Sequence, residues 1–182
     1  MAQQRVLFDS QRFGITVTRL GHQLFENHGS FSNTCLVGIQ PRGVFLAERI
    51  HRYLSRELKL KVPFGKLDNT FYRDDFRTAD KQLMPSHTAM DFTVEGKTVV
   101  LVDDVMYTGR TIRAAMDALL DFGRPRKVEL LVLVERRFSR ELPIQPDYVG
   151  VYVDSIAEEK VRVEWKEQDG DDKIWIVPVN EK

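Results

Sequence analysis

A chain of 182 residues, 42% of them hydrophobic, is long enough for one domain with a sizeable core, spanning 1–182, and too short for two. That apolar content excludes a disordered chain, and a balance of 27 basic against 27 acidic residues argues against a protein whose main task is to coat nucleic acid. A single cysteine, Cys35, excludes an intrachain disulfide framework, and no apolar run approaches the roughly 18 residues of a membrane-spanning helix, so a soluble cytoplasmic protein is expected.

Ser10 to Asn27 reads as an amphipathic helix, with Phe13, Val17, Leu20 and Leu24 on one face. Thr18, Arg19 and His22 share another side, the ordinary reading of which is a solvated face. Thr34 to Ile39 is an apolar run and predicts a buried strand, with Cys35 as a small residue inside it. Gln40-Pro-Arg-Gly43 follows, and then a helical pattern through Leu46, Ile50, Tyr53, Leu54 and Leu58. Arg42 beside Gly43 offers a cation and open backbone to an anion, although the same residues make an ordinary turn. A strand is expected within Lys61 to Tyr72, ending near Phe71-Tyr72. Arg73 to His87 is polar and without period, which suits a mobile loop over a site. Ala89 to Val94 alternates and Glu95-Gly96 turns, predicting a hairpin that feeds the next strand.

That next strand opens the most informative stretch, Val99-Val-Leu-Val-Asp-Asp-Val-Met-Tyr-Thr-Gly-Arg-Thr111. Four apolar residues predict a strand buried on both faces, ended by Asp103 and Asp104. A loop carrying Thr108, Gly109 and Thr111 leads into a helix with Ile112, Ala115, Met116 and Leu119 on one face. This is the layout of a ribose-phosphate site. Backbone N–H groups of the loop and first helical turn hold a phosphate, and the carboxylates accept from ribose hydroxyls. The plainer alternative is a solvated strand end or a helix cap.

The helix should end at Leu120, with Gly123 and Pro125 closing it. Val128 to Val134 is another buried strand, Glu135 to Pro143 a charged loop at its end, and Tyr148 to Val153 a short strand. Val161, Val163 and Trp165 alternate, Gln168 to Asp172 turns, and Ile174 to Val177 returns as a hairpin that shields a sheet edge or forms a hood. The repeated strand–helix order predicts an α/β fold, a mostly parallel sheet flanked by helices. No metal-ligand cluster stands out.

The 99–111 window resembles the phosphoribosyl-pyrophosphate motif of type I phosphoribosyltransferases. Nearly the whole chain resembles the pyrimidine-operon regulator family, whose members are also uracil phosphoribosyltransferases. The resemblance is carried by Leu36-Val-Gly-Ile39 with Arg42-Gly43, by Tyr72-Arg-Asp-Asp75 and by the 99–111 motif. Met116-Asp-Ala-Leu119, Gly123-Arg-Pro125, Arg140-Glu-Leu-Pro-Ile144, Asp147-Tyr148 and Glu159-Lys-Val161 continue it. It implies the type I fold with a small hood and a mobile loop, a homodimer or higher oligomer, and the reaction of uracil with phosphoribosyl pyrophosphate to give UMP and pyrophosphate with Mg²⁺. By resemblance, Met106, Tyr107, Thr108, Gly109, Arg110 and Thr111 hold the 5′-phosphate. Asp103 and Asp104 orient the ribose and touch the metal through water, with Arg73 the third catalytic residue. Pro41, Arg42, Gly43, Tyr72 and Arg73 meet the pyrophosphate, and a cis peptide is expected at Pro41–Arg42. The base pocket is expected at Val134, Glu135, Arg136 and Arg137.

Three readings follow. The favoured one is the enzyme. The second is an RNA-binding regulator sensing uridine nucleotides, with Thr18, Arg19 and His22 at positions the family links to RNA. Regulatory members commonly carry Arg and Lys where this chain has Gln145 and Val151. The third is a purine-type transferase. It arises because members commonly read Asp-Arg-Gly-His-Arg-Glu-Leu-Pro, whereas Glu135-Arg-Arg-Phe-Ser-Arg-Glu-Leu-Pro143 is one residue longer.

Overall fold

The computed structural model describes residues 4–74, 86–154 and 159–178. In chain order its elements are β1 (Arg5–Phe8), α1 (Ser10–His28), β2 (Thr34–Ile39), α2 (Gly43–Arg56), β3 (Phe64–Leu67), β4 (Thr98–Met106), α3 (Arg110–Leu119), β5 (Lys127–Arg136), β6 (Tyr148–Val153), β7 (Glu159–Glu164), α4 (Lys166–Asp169) and β8 (Lys173–Pro178). Five strands form a sheet in the order β3-β2-β4-β5-β6, every neighbouring pair parallel. β1, β8 and β7 make a second, antiparallel sheet, the expected hood.

The apolar runs form strands because helices cover both faces of the large sheet. Phe13, Leu20 and Leu24 of α1 and Leu46, Ile50 and Leu54 of α2 pack on one face, against Leu36, Val100, Leu131 and Leu133. Ile112, Ala115 and Leu119 of α3 pack on the other, against Cys35, Val37, Val99 and Leu101. Burial pushes the Cys35 thiol up to about 11, which fits its reading as a small core residue. Asp9 caps α1, its carboxylate accepting from the Arg12 N–H at 2.9 Å.

The hood docks through Trp165. Its ring meets Phe13 edge-on at 5.1 Å and lies under the Arg49 guanidinium, also at 5.1 Å. Arg49 of α2 then reaches the hood carboxylates, bonding Glu167 at 3.1 and 2.6 Å and Asp172 at 2.9 and 2.7 Å.

Several expectations need correction. β1 carries only four residues and was not anticipated; it forms because the edge of β8 accepts it. β3 stops at Leu67, and Thr70–Tyr72 is a 3₁₀ turn set by the Asp68 carboxylate, which accepts from the Thr70 N–H at 2.9 Å. β4 runs on through Asp103 and Asp104 to Met106, because β5 continues the ladder beside it. Ala89 to Val94 forms no hairpin: Ala89 makes one isolated antiparallel bridge to Lys66, while Met90 and Phe92 both turn onto the α3-side core. The cis peptide is Gln40–Pro41 rather than Pro41–Arg42, at the tertiary amide where the cis form is least unfavourable. Most of the expected mobile loop, 75–85, lies outside the described residues.

Arg49 links α2 to the hood, and its truncation leaves the Asp172 carboxylate with the Lys166 N–H but without its guanidinium partner. Arg49→Ala is expected to destabilise the fold by about 2–4 kcal/mol, with Arg49→Lys recovering only part because an ammonium lacks the forked geometry. Urea melts of the two variants against the parent check this.

Candidate active site

Parallel sheets collect ligands beyond the carboxyl ends of their strands, and β4 ends there in two carboxylates. The Asp103 side chain is buried and accepts from the Asp104 N–H at 2.9 Å; Asp104 accepts from the Val105 N–H at 2.8 Å. Burial and the adjacent Asp104 charge together hold the Asp103 carboxyl well above the usual carboxylate range. Burial also raises Asp104, and the Arg42 guanidinium, 3.4 Å away, partly opposes this.

Beyond the carboxylates the chain turns into α3 through Gly109, whose φ of 90° is open to glycine at little strain. The turn opens a cleft of about 560 Å³ walled by Arg73, Asp74, Asp103, Val105 and every residue from Met106 to Ile112. The first turn of α3 presents its N–H groups at this end. Asn69, buried at the end of β3, donates to the Thr111 carbonyl at 2.8 Å and braces that turn. Arg73 approaches the Thr111 hydroxyl at 3.5 Å and sets its charge against Asp103. Arg110 points outward, pairing with Asp74 and Glu141 at 2.6 Å each. The Glu141 and Leu142 N–H groups bond the Thr108 carbonyl at 3.1 and 3.3 Å, tying the loop after β5 to the cleft.

Gly43 begins α2 directly behind Asp103. A Cβ there would lie 2.5 Å from the Val102 carbonyl oxygen and 2.8 Å from the Asp103 Cα, so only glycine lets the helix start against the strand. Arg42 stands beside it, between Asp104 and the hood. Among the described residues no group of three or more His, Cys, Asp or Glu could hold a metal ion. The adjacent Asp103 and Asp104 carboxylates fit the donor chemistry of an ion such as Mg²⁺, which takes one or two protein carboxylates and completes its shell from substrate phosphates and water.

Comparison with known proteins decides the family. Residues 3–168 match the phosphoribosyl transferase domain family. Bifunctional protein PyrR of Haemophilus ducreyi is 41% identical over 174 residues, 96% of this chain and 97% of its own. The corresponding protein of Microcystis aeruginosa is 48% identical over 162 residues, 89% of this chain and 90% of its own. The chain belongs to the PyrR family of phosphoribosyltransferases. The fold extends further: a hypoxanthine phosphoribosyltransferase from Staphylococcus aureus superposes with a TM-score of 0.68 at 18% identity, over 96% of this chain and 92% of its own. That of Trypanosoma cruzi gives 0.69 at 14%, over 96% of each chain.

Within this PyrR-family cleft the expected residues fall into three groups. Asp103, Arg73 and Met106 to Thr111 wall it together. Pro41, Arg42 and Gly43 stand behind the carboxylates, joined to them through Arg42 and Asp104. Tyr72 is not a cleft wall; its hydroxyl donates to Asp121, beyond the far end of α3. Of the four expected base-pocket residues, only Arg136 reaches a cleft wall, its guanidinium lying 4.1 Å over the Tyr107 ring. Val134 is buried in β5, Glu135 is buried and paired with Arg140, and Arg137 pairs with Asp154 at 2.6 Å. Thr18, Arg19 and His22 are exposed on α1; Arg19 donates to the Gly150 and Val149 carbonyls of β6 at 2.6 and 3.2 Å. Val105, Ile112, Asp74 and the bracing Asn69 were not singled out in the sequence. Ile112 reads there as part of the apolar face of the helix, Val105 lies within the 99–111 motif without a role of its own, and nothing marks Asn69 until β3 and α3 meet.

A carboxyl raised on folding binds more protons folded than unfolded, so it lowers stability as pH rises from the unfolded range, about 4, through its folded value. Asp103→Asn removes that penalty while keeping an oxygen for the Asp104 N–H. The ligand-free variant is expected to melt higher than the parent at about pH 8, by roughly 2–4 °C per kcal/mol relieved, and to lose the advantage near pH 4. Thermal melts across pH check the trend.

Proposed function

We propose that this protein is a uracil phosphoribosyltransferase, working with Mg²⁺ in the cytoplasm as a homo-oligomer, and that it also regulates pyrimidine genes by binding messenger RNA. One observation carries the enzyme reading: the Asp103 carboxylate, with Asp104 adjacent to it, and a helix N-terminus meet at one cleft, in a chain 41–48% identical to proteins named bifunctional PyrR.

Uracil N1 bonds to the ribose C1 as the C1–O bond to pyrophosphate breaks. The bonding pair leaves on pyrophosphate, and the N1 proton is released to solvent water. The ribose passes through an oxocarbenium-like state, so catalysis consists of positioning the ring and stabilising two developing charges. The loop from Met106 to Thr111 and the first turn of α3 fix the 5′-phosphate. Asp103 and Asp104 accept from the ribose hydroxyls and place carboxylate charge near the cationic sugar. Arg73 and Arg42 bracket the carboxylates and meet the leaving group. Asp103 and Asp104 would face a Mg²⁺ ion brought with the substrate, and the chemistry it would supply is charge neutralisation of the leaving group. No covalent nucleophile is needed.

The regulatory reading rests on α1. Arg19 is held at the β6 edge by two carbonyl groups, which presents a preorganised cation next to exposed Thr18 and His22.

Turnover assays with phosphoribosyl pyrophosphate, Mg²⁺ and each of uracil, hypoxanthine, guanine and orotate are expected to show product with uracil alone; hypoxanthine or guanine turnover would favour the purine-type reading. Replacing both Asp103 and Asp104 by Asn is expected to lower kcat at least about 100-fold while the fold persists. Undiminished turnover would remove the carboxylates from the mechanism. For RNA, Arg19→Ala is expected to weaken binding to a pyrimidine-operon leader and to reduce the log–log salt slope by about 1. Equal, weak binding to unrelated RNA would count against regulation.

A further inference from the structure

Arg42 is held by protein groups at all three of its guanidinium nitrogens. Its Nε faces the Asp104 carboxylate at 3.4 Å. Nη2 faces Asp169 at 3.2 Å and also donates to the Val163 carbonyl, while Nη1 meets the Gln168 amide oxygen at 3.5 Å. Every nitrogen of the guanidinium thus has a partner, and three of the four partners belong to the hood. Asp169 is the one charged group among those three. Its Oδ2 also accepts from the Trp165 N–H at 2.8 Å, so the hood backbone itself holds the carboxylate in front of Arg42.

A phosphate oxygen binding Arg42 competes with this set for the charge and donors of the guanidinium. Asp104 belongs to the catalytic pair, so the exchangeable partners are those of the hood. We infer that Asp169 is an internal counter-ion that competes with the pyrophosphoryl group for Arg42, and so sets the affinity of the site for both phosphoribosyl pyrophosphate and released pyrophosphate. The inference rests on the reading of Arg42 as a pyrophosphate contact. While pyrophosphate is bound, its higher charge holds the guanidinium. As pyrophosphate leaves, Asp169 re-forms the pair, so rebinding must displace it again. The device weakens substrate and product alike and favours release. The Arg42 and Asp169 side chains are 34% and 30% exposed, so water screens the competition and its effect is a few-fold rather than a switch.

The test is pyrophosphate product inhibition and the KM for phosphoribosyl pyrophosphate in Asp169→Asn, which keeps an oxygen for the Trp165 N–H. Both constants are expected to fall by about two- to fivefold. Glu167→Gln removes the same charge from the same short helix but from a residue paired with Arg49, and is expected to leave both constants unchanged. No change in Asp169→Asn, or an equal fall in Glu167→Gln, would overturn the inference, the second outcome by showing a general charge effect. Arg42→Ala separates the two levels of argument. It is expected to weaken pyrophosphate inhibition and to abolish the effect of Asp169→Asn. If Arg42→Ala leaves inhibition unchanged, the pyrophosphate assignment fails along with the inference. If it weakens inhibition while Asp169→Asn has no effect, only the inference fails.

Discussion

Two adjacent carboxylates held out of water at the end of the central strand organise the rest of the molecule. Burying Asp103 and Asp104 side by side raises both, and such a pair persists only where surrounding cations and donors compensate. Arg42 approaches from the α2 side and Arg73 sets its charge from the turn after β3, while the two carboxylates cap successive backbone N–H groups. The strain of the pair is electrostatic.

The parallel sheet explains why these groups meet. Helices on both faces force β2, β4 and β5 to be apolar along their length, so polar residues concentrate at the strand ends. β4 reaches past its neighbour β2 to Met106, which carries the carboxylates and the following loop to the rim beside the start of α2. Gly43 allows that approach to within contact distance. The hood then closes the Arg42 side, docked by Trp165 and Arg49. Carboxylate pair, cation and hood form one chain of contacts from Asp104 through Arg42 to Asp169.

The likeness to hypoxanthine transferases extends to the fold alone. Of the segment expected to read the base, Val134 to Arg137, Val134 is buried in β5, Glu135 pairs with Arg140 and Arg137 with Asp154. What faces the cleft is Tyr107 under Arg136, together with Val105. An aromatic ring and an aliphatic side chain bound this wall.

The sequence by itself determined the strand–helix order, the 99–111 motif and the hood hairpin, because each is written in local signals. Continuous apolar runs, glycine-marked turns and period-3.6 faces depend on neighbours within about ten residues. It did not determine β1, whose four residues become a strand only on the β8 edge, nor the end of β4, which depends on β5 beside it. Alternation at Ala89 to Val94 imitated a strand, but Met90 and Phe92 found the α3-side core first. Tertiary structure alone turned Tyr72 toward Asp121, set Asn69 beneath the start of α3 and brought Asp169 to Arg42 across more than a hundred residues. Those pairings join elements far apart in sequence, so no local pattern encodes them; packing of the hood and helices on the sheet selects them.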